Sequence, residues 1–253
     1  MPQRRERRRA TVNHQLELAR AVQRSLLPMP LGALPRFELV ARFAPAQVVA
    51  GDFYDYFQPT PELMGLYLGD VQGKGLEGAM YAALVSGIMR GLHKSSNPPA
   101  RVLDFLNRRL RLRPIPDKFC TLGYAVLDVE RRQLAYANAG LPFPLLCRGG
   151  RTRRIEVAGL PLGLFDEVTY EQQEVQLEPG DRVLFFTDGL VDSLENRRVR
   201  DGEAVVRGVL ESASTASALA LADHLVSRLP LPSARNRRRQ LADDATFLLL
   251  RIL

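Results

Sequence analysis

The chain has 253 residues, of which 46% are hydrophobic and 25% are charged, and its formal net charge is +7. A chain of this length can bury the core of one large or two small domains, and we expect one catalytic domain with a short N-terminal appendage. No apolar run reaches the roughly 18 residues of a transmembrane helix, so the composition predicts neither a membrane span nor a membrane partner.

The positive charge does not predict a nucleic-acid partner. Apart from short runs such as residues 4–9 and 237–239, the arginines are spread along the chain instead of forming one basic arm. The basic start MPQRRERRR continues into polar TVNHQ, which argues against a secretory signal. Cys120 and Cys147 have no CxxC partner and are predicted to be free thiols. These features together predict a cytoplasmic protein.

The first predicted element is an amphipathic helix over residues 11–27, which Pro28 and Pro30 end. A Pro/Gly-rich link, PMPLGALP, follows it. We therefore divide the chain into a basic tail with a linker helix (1–30) and a main domain (31–253). The apolar stripe of the helix is compatible with two arrangements, pairing of two copies of the chain or packing back onto its own domain.

Runs of β-branched, aromatic and aliphatic residues predict strands in the main domain, and helical periodicity predicts the helices between them. The strands are expected at 37–43, 63–71, 119–129, 133–139, 144–148, 168–177, 182–188 and 245–253. The helices are expected at 76–92, 101–112, 202–211 and 216–229. Because several strands follow one another through short turns, we predict an α+β fold of antiparallel sheets with helices on their outer faces.

The segment GDVQGKGLEG, residues 69–78, could form a phosphate-binding loop, a metal site or a plain turn. A P-loop requires G-x-x-x-x-G-K-[ST], and the first glycine would fall at Leu68 and the hydroxyl residue at Gly75. Both positions fail, which argues against a nucleotide loop. Lys74 is then either a solvent-facing charge or a contact for a phosphate group.

Aspartates recur at predicted strand edges, at Asp52, Asp70, Asp188 and the pair 243–244. A single aspartate there is commonly a turn former. Several that meet at one rim would repel one another unless a cation neutralised them, and hard oxygen ligands favour Mg²⁺ or Mn²⁺. Zinc is disfavoured, because the three histidines are isolated in the sequence.

Six segments resemble, in order, the RsbU/SpoIIE-type branch of the bacterial metal-dependent serine/threonine protein phosphatases, the PPM or protein phosphatase 2C-like family. They are AGDFYDYF (50–57), LGDVQGKG (68–75), YANAGLPFPLL (136–146), GLPLGLF (159–165), GDRVLFFTDGLVDS (180–193) and DDATFLLLR (243–251). The resemblance covers about residues 14–253. It implies a four-layer αββα sandwich, which agrees with the sheets and outer helices predicted above.

The resemblance also implies a centre of two divalent cations, Mn²⁺ or Mg²⁺. Asp70 would bridge the ions, and the Val71 carbonyl would bind one of them. Asp52 would ligate that same ion directly or through water, while Asp188 and Asp243 would hold the other. Asp52, Asp70 and Asp188 are thus the expected catalytic residues, and Lys74 is a candidate for substrate binding. Water activated by the cations would attack phosphorus directly, without a covalent phosphoenzyme.

By the same resemblance, the substrate is a phosphoserine or phosphothreonine on a regulatory protein, a STAS-type anti-anti-sigma factor in a partner-switching pathway. Residues 17–28 would be the linker helix that couples the phosphatase to a regulatory element. With only about 30 residues before the main domain, we expect control by an activator protein, control by a homodimer formed through residues 11–27, or no such control at all.

The chain departs from the family pattern at four positions, Ala50, Glu77, Leu141 and Asp192, none of which is an implied metal ligand. The alternative function is a catalytically silent phosphatase-like binding module. The complete set of aspartates argues against it, because a silent module has no need to keep like charges together.

Overall fold

The computed structural model describes residues 2–29, 31, 34–93, 97–195, 201–212, 216–231 and 240–253. The described residues form α1 (Pro2–Ser25), β1 (Phe37–Ala44), β2 (Phe53–Thr60), β3 (Leu63–Val71), α2 (Leu76–Arg90), α3 (Pro99–Arg111), β4 (Cys120–Asp128), β5 (Gln133–Ala139), β6 (Leu145–Arg148), β7 (Arg151–Arg154), β8 (Gln172–Gln176), β9 (Arg182–Phe186), α4 (Asp188–Leu194), α5 (Gly202–Ser212), α6 (Ala218–Arg228) and β10 (Ala245–Ile252).

The strands form two five-stranded sheets, ordered β1-β10-β9-β6-β7 and β2-β3-β4-β5-β8. Every strand pair within them is antiparallel. One apolar core lies between the sheets, a second between the β3 sheet and helices α2 and α3, and a third between the β10 sheet and helices α4 to α6. The predicted αββα sandwich is therefore confirmed.

Strand β10 shows why the sequence gives this layering. Leu248 and Leu250 belong to the core between the sheets, while Phe247 and Leu249 belong to the core beneath the helices. A strand covered on both faces needs apolar residues at successive positions, and ATFLLL supplies them.

Several sequence expectations differ from the structure. Helix α1 begins at Pro2, nine positions before the predicted start, because its arginine-rich opening consists of good helix formers. Strand β2 was missed because Asp55 occupies a buried position and breaks the apolar alternation; Arg90 Nε donates to Asp55 Oδ2 at 2.9 Å and neutralises it. Strand β7, the four-residue RTRR, was also missed.

Of the strands that are shorter than predicted, β8 and β9 have a visible cause. Strand β8 begins at Gln172 instead of residue 168, because the Tyr170 N–H bonds the side chain of Asp104 on α3. Strand β9 ends at Phe186, and Asp188 opens the unpredicted helix α4 instead of ending a strand. The run at 237–239 and Pro30 lie outside the described residues. In the parts that the structure describes, no helix is long and apolar enough to cross a membrane.

Candidate active site

Each sheet brings two of the predicted acidic segments side by side. In the sheet that contains β2 and β3, Phe53 pairs with Gly69, so that Asp52 and Asp70 lie on neighbouring strand ends. In the sheet that contains β9 and β10, the Thr187 N–H donates to the Thr246 carbonyl at 3.0 Å beyond the β9–β10 pairing, which places Asp188 beside residues 243–244. The two sheets present these ends to each other, so four distant chain segments form one acidic rim.

A hydrogen bond between the sheets fixes Asp52. Its carboxylate is 2% exposed and accepts a hydrogen bond from the Thr187 hydroxyl at 2.9 Å. The same Thr187 oxygen accepts the Thr246 N–H at 3.1 Å. Burial, followed by the charge of Asp70, raises the pKa of Asp52 well above its ordinary value. The buried carboxylate therefore requires a proton or a cation beside it.

Asp70 is the electrostatic centre of the rim. Burial, followed by the charges of Asp188, Asp243 and Asp244 in that order, raises the pKa of its carboxyl group to about 7. These three carboxylates are thus close enough to Asp70 to disfavour its ionised form. A bound divalent cation would reverse this effect, because it favours the ionised form of every carboxylate around it.

Asp243 and Asp244, the two aspartates before β10, make different contacts. The Asp244 carboxylate accepts the N–H groups of Ala46 at 2.7 Å and Gly51 at 2.8 Å, so it holds the turn that precedes Asp52. The Asp243 side chain is 45% exposed at the rim and lies 2.9 Å from the ammonium group of Lys74. Asp244 is therefore bound by the backbone of its own domain, while Asp243 faces outward.

Gly51 leaves space for a small ligand beside Asp70. A Cβ atom at this position would lie 3.1 Å from the Val71 carbonyl oxygen, 3.2 Å from Asp70 Oδ1 and 3.3 Å from the Gly73 carbonyl oxygen. Three oxygens that face one small volume are the hard donor set that Mg²⁺ and Mn²⁺ bind. These residues therefore fit a divalent cation, and they include the predicted pair of Asp70 and Val71.

The side chains alone do not complete a metal-binding group. Among the described residues, no three His, Cys, Asp or Glu side chains are arranged so that they could hold a metal ion. Backbone oxygens are part of the donor set around Gly51, and Asp243 is engaged by Lys74. The predicted ligand set of Asp52, Asp70, Val71, Asp188 and Asp243 accordingly stays a prediction, although its members share one rim.

Two departures from the family pattern have structural explanations. Leu141 is buried in the core between the sheets, and its backbone N–H and carbonyl both bond the Asn138 side chain at 3.0 Å. The turn is thus held through the backbone at position 141. Glu77, at the start of α2, is exposed and pairs with Lys118 at 3.2 Å.

The sequence interpretation missed Thr187, which joins Asp52 to the sheet that contains β9 and β10. Its only signal was a polar residue at the end of the buried run VLFF, where a hydroxyl group needs a hydrogen-bond partner.

Comparison with protein families identifies the family of the chain. The family model described as Stage II sporulation protein E (SpoIIE) matches residues 60–253. The chain belongs to the SpoIIE family. This SpoIIE-family chain is 27% identical over 242 residues to the phosphoserine phosphatase RsbU of Bacillus subtilis (strain 168), across 95% of the chain and 70% of RsbU. The phosphoserine phosphatase RsbP of the same organism is 26% identical over 184 residues, 70% of this chain and 45% of RsbP. The predicted class, a phosphoprotein phosphatase, is confirmed.

Solved structures share the fold of the SpoIIE-family chain. The SiaA-PP2C domain of Pseudomonas aeruginosa superposes with a TM-score of 0.81 and 24% identity, covering 96% of this chain and 98% of that domain. RsbX, in a complex with magnesium, gives a TM-score of 0.66 at 16% identity, over 88% of this chain and 99% of RsbX. These likenesses confirm the protein phosphatase 2C-like fold.

Proposed function

We propose that the chain hydrolyses phosphoserine or phosphothreonine on a regulatory protein, with divalent cations bound at the acidic rim. The observation that carries this proposal is the position of Asp70. Its carboxylate is buried, faces the charges of Asp188, Asp243 and Asp244, and lies beside the Val71 carbonyl at the space left by Gly51. A cation among these carboxylates would favour the ionised form of Asp70, which its surroundings otherwise disfavour.

The proposed roles of the rim residues are those that the family resemblance implies. Asp70 would contact two cations, and the Val71 carbonyl would hold the one on the Gly51 side. Asp188 and Asp243 would hold the second. Asp52, which the Thr187 hydroxyl orients at 2.9 Å, would support the Val71-side ion directly or through a water molecule. The magnesium complex of RsbX, which has the same fold, agrees with this choice of cation.

When bound, the cations supply an activated water molecule and neutralise charge on the phosphoryl oxygens. The chain's contribution is to fix the carboxylates that hold them. A cysteine nucleophile is not available at this place, because burial and the charge of Asp70 raise the pKa of the Cys120 thiol, and Cys120 is 0% exposed. Direct attack by water is therefore the route that these residues support.

The substrate is proposed to be a phosphorylated STAS-type anti-anti-sigma factor in a partner-switching pathway. The support is the similarity to the phosphoserine phosphatase RsbU, which extends over 95% of this chain. Control by an activator protein or by a homodimer through residues 11–27 belongs to the same proposal. Lys74 is proposed as the residue that approaches the substrate phosphate, since its ammonium group lies at the rim beside Asp243.

The test compares hydrolysis of an aryl phosphate and of a phosphoserine protein, with and without Mn²⁺, in the wild type and in Asp188→Asn. Asp128→Asn is the matched control, because Asp128 lies at the opposite end of β4 from Thr121, the partner of Asp70. We expect Mn²⁺-dependent turnover that Asp188→Asn loses and Asp128→Asn keeps. Metal binding without turnover on either substrate would favour the silent binding module instead.

A further inference from the structure

Gln23, on helix α1, holds both polar backbone groups of a residue next to the acidic rim. Its Nε2 donates to the Ala50 carbonyl at 2.7 Å, and its Oε1 accepts the Ala50 N–H at 3.0 Å, although the two residues are 27 positions apart. Ala50 is 0% exposed, so loss of the Gln23 side chain would leave a buried backbone N–H and a buried carbonyl without these two hydrogen bonds.

Ala50 belongs to an irregular segment, residues 45–52, that joins β1 to β2. Side chains from other parts of the molecule hold this segment. Asp244 accepts the N–H groups of Ala46 and Gly51 from the side of the rim. Gln23 bonds Ala50 from the side of α1, and so the segment is fixed between the rim and the helix.

The next two residues carry the proposed site. Gly51 leaves the space that the Val71, Asp70 and Gly73 oxygens face. Asp52 reaches across to Thr187. Gln23 and Asp52 also line one narrow cavity of about 10 Å³, which has room for no more than one water molecule. Because Ala50, Gly51 and Asp52 are consecutive in the chain, a displacement of Ala50 would also displace Gly51 and Asp52.

We infer that Gln23 is a positioning residue for the cation site, acting through the backbone of Ala50. The inference rests on the proposed function, and it assigns α1 a part in the geometry of the rim. If Gln23 only anchored α1 to the domain, its loss would loosen the helix but leave the affinity for cations unchanged.

The test replaces Gln23 with methionine, which has a similar length and helix propensity but cannot form either hydrogen bond. Gln15→Met is the matched control, because Gln15 is an exposed glutamine on the same helix. A second variant, Gln23→Glu, keeps an acceptor for the Ala50 N–H and loses the donor. The full-length chain is used throughout, and circular dichroism verifies that each variant is folded.

Two quantities are measured without any substrate. Titration calorimetry gives the affinity for Mn²⁺, and amide hydrogen exchange of the metal-free protein reports the opening of residues 50–52. We expect Gln23→Met to weaken Mn²⁺ binding about 10-fold or more, as for other groups that orient metal ligands, and to speed exchange in this segment. The Mn²⁺ affinity and the exchange rate of Gln23→Glu should lie between those of Gln23→Met and the wild type. Both quantities should be the same in Gln15→Met as in the wild type.

Only the two changes together support the inference. Unchanged Mn²⁺ affinity, or weaker affinity without faster exchange at residues 50–52, would overturn it and leave the proposed function standing. A wild-type chain that binds no Mn²⁺ or Mg²⁺ at millimolar concentration would overturn the proposed function, and with it the role of Gln23.

Discussion

The ammonium group of Lys74 lies 2.9 Å from Asp243 Oδ2 and donates to the Ala242 carbonyl, also at 2.9 Å. A side-chain cation thus lies against one of the proposed metal ligands, and the Asp243 side chain raises the pKa of Lys74 through their hydrogen bond.

Replacing Lys74 with methionine should therefore tighten Mn²⁺ binding, because a competing cation is removed. Both side chains are about half exposed, so the pair contributes at most about 1 kcal/mol, which limits the gain to about five-fold. Titration calorimetry measures the Mn²⁺ affinity, and Lys74→Arg is the control that keeps the positive charge. Weaker Mn²⁺ binding by Lys74→Met would show that the lysine assists the site instead of competing for it.

The metal-free protein should lose stability as the pH rises toward 8. Burial and neighbouring charges raise the pKa of Asp70 from 3.8 to about 7, so the folded chain binds this proton more tightly than the unfolded chain does. The resulting stabilisation is complete below the unfolded pKa and is lost as the pH passes through about 7. Asp52 and Asp244 are shifted in the same direction.

Urea unfolding between pH 5 and pH 8, with metal removed by a chelator, would measure this loss. Asp70→Asn should reduce the pH dependence, Asp128→Asn should retain it, and saturating Mn²⁺ should abolish it. A free energy of unfolding that rises over this range in the metal-free wild type would contradict the prediction.

Removing the hydroxyl group of Thr187 should lower both the free energy of unfolding and the rate of Mn²⁺-dependent hydrolysis. Thr187→Val has almost the same shape but leaves the buried Asp52 carboxylate without the donor at 2.9 Å, an effect of about 1–3 kcal/mol. Thr187→Ser keeps the hydroxyl and serves as the control. Urea unfolding and Mn²⁺-dependent hydrolysis measure the two effects, and equal behaviour of the valine and serine variants would rule out the hydrogen bond as the cause.

Gly51→Ala should weaken cation binding while the fold is retained. The added methyl group would enter the space 3.1 to 3.3 Å from the oxygens of Val71, Asp70 and Gly73. Gly87→Ala in α2 is the control, because a Cβ there meets nothing within 4 Å and alanine favours a helix by roughly 0.5–1 kcal/mol. Calorimetry with Mn²⁺ compares the two; unchanged affinity in Gly51→Ala would place the cations elsewhere on the rim.

The sequence predicted the elements whose signal is local. Strand β10 was clear because its residues are apolar at successive positions, whereas β2 was hidden by the buried charge of Asp55. The aspartates of the rim were recognised through a family resemblance and their position at strand edges. The hydrogen bonds from Thr187 to Asp52 and from Gln23 to Ala50 could not be predicted, because the folded chain brings these residues together from distant positions in the sequence. Helix α4 was missed because seven residues give too short a periodic pattern.

The pairing of β1 with β10 sets the order of events during synthesis on the ribosome. Phe37 pairs with Ile252, and in the described part of the chain β10 lies between β1 and β9 in their sheet. The emerging chain therefore carries β1 without its neighbour until almost all of the described residues have been translated. Asp244 directly precedes β10, and it can hold the 45–52 segment only after it has left the ribosomal exit tunnel. A nascent chain should consequently be unable to bind cations at the rim or to act on a phosphoprotein before the segment that contains Asp243, Asp244 and β10 has left the ribosome.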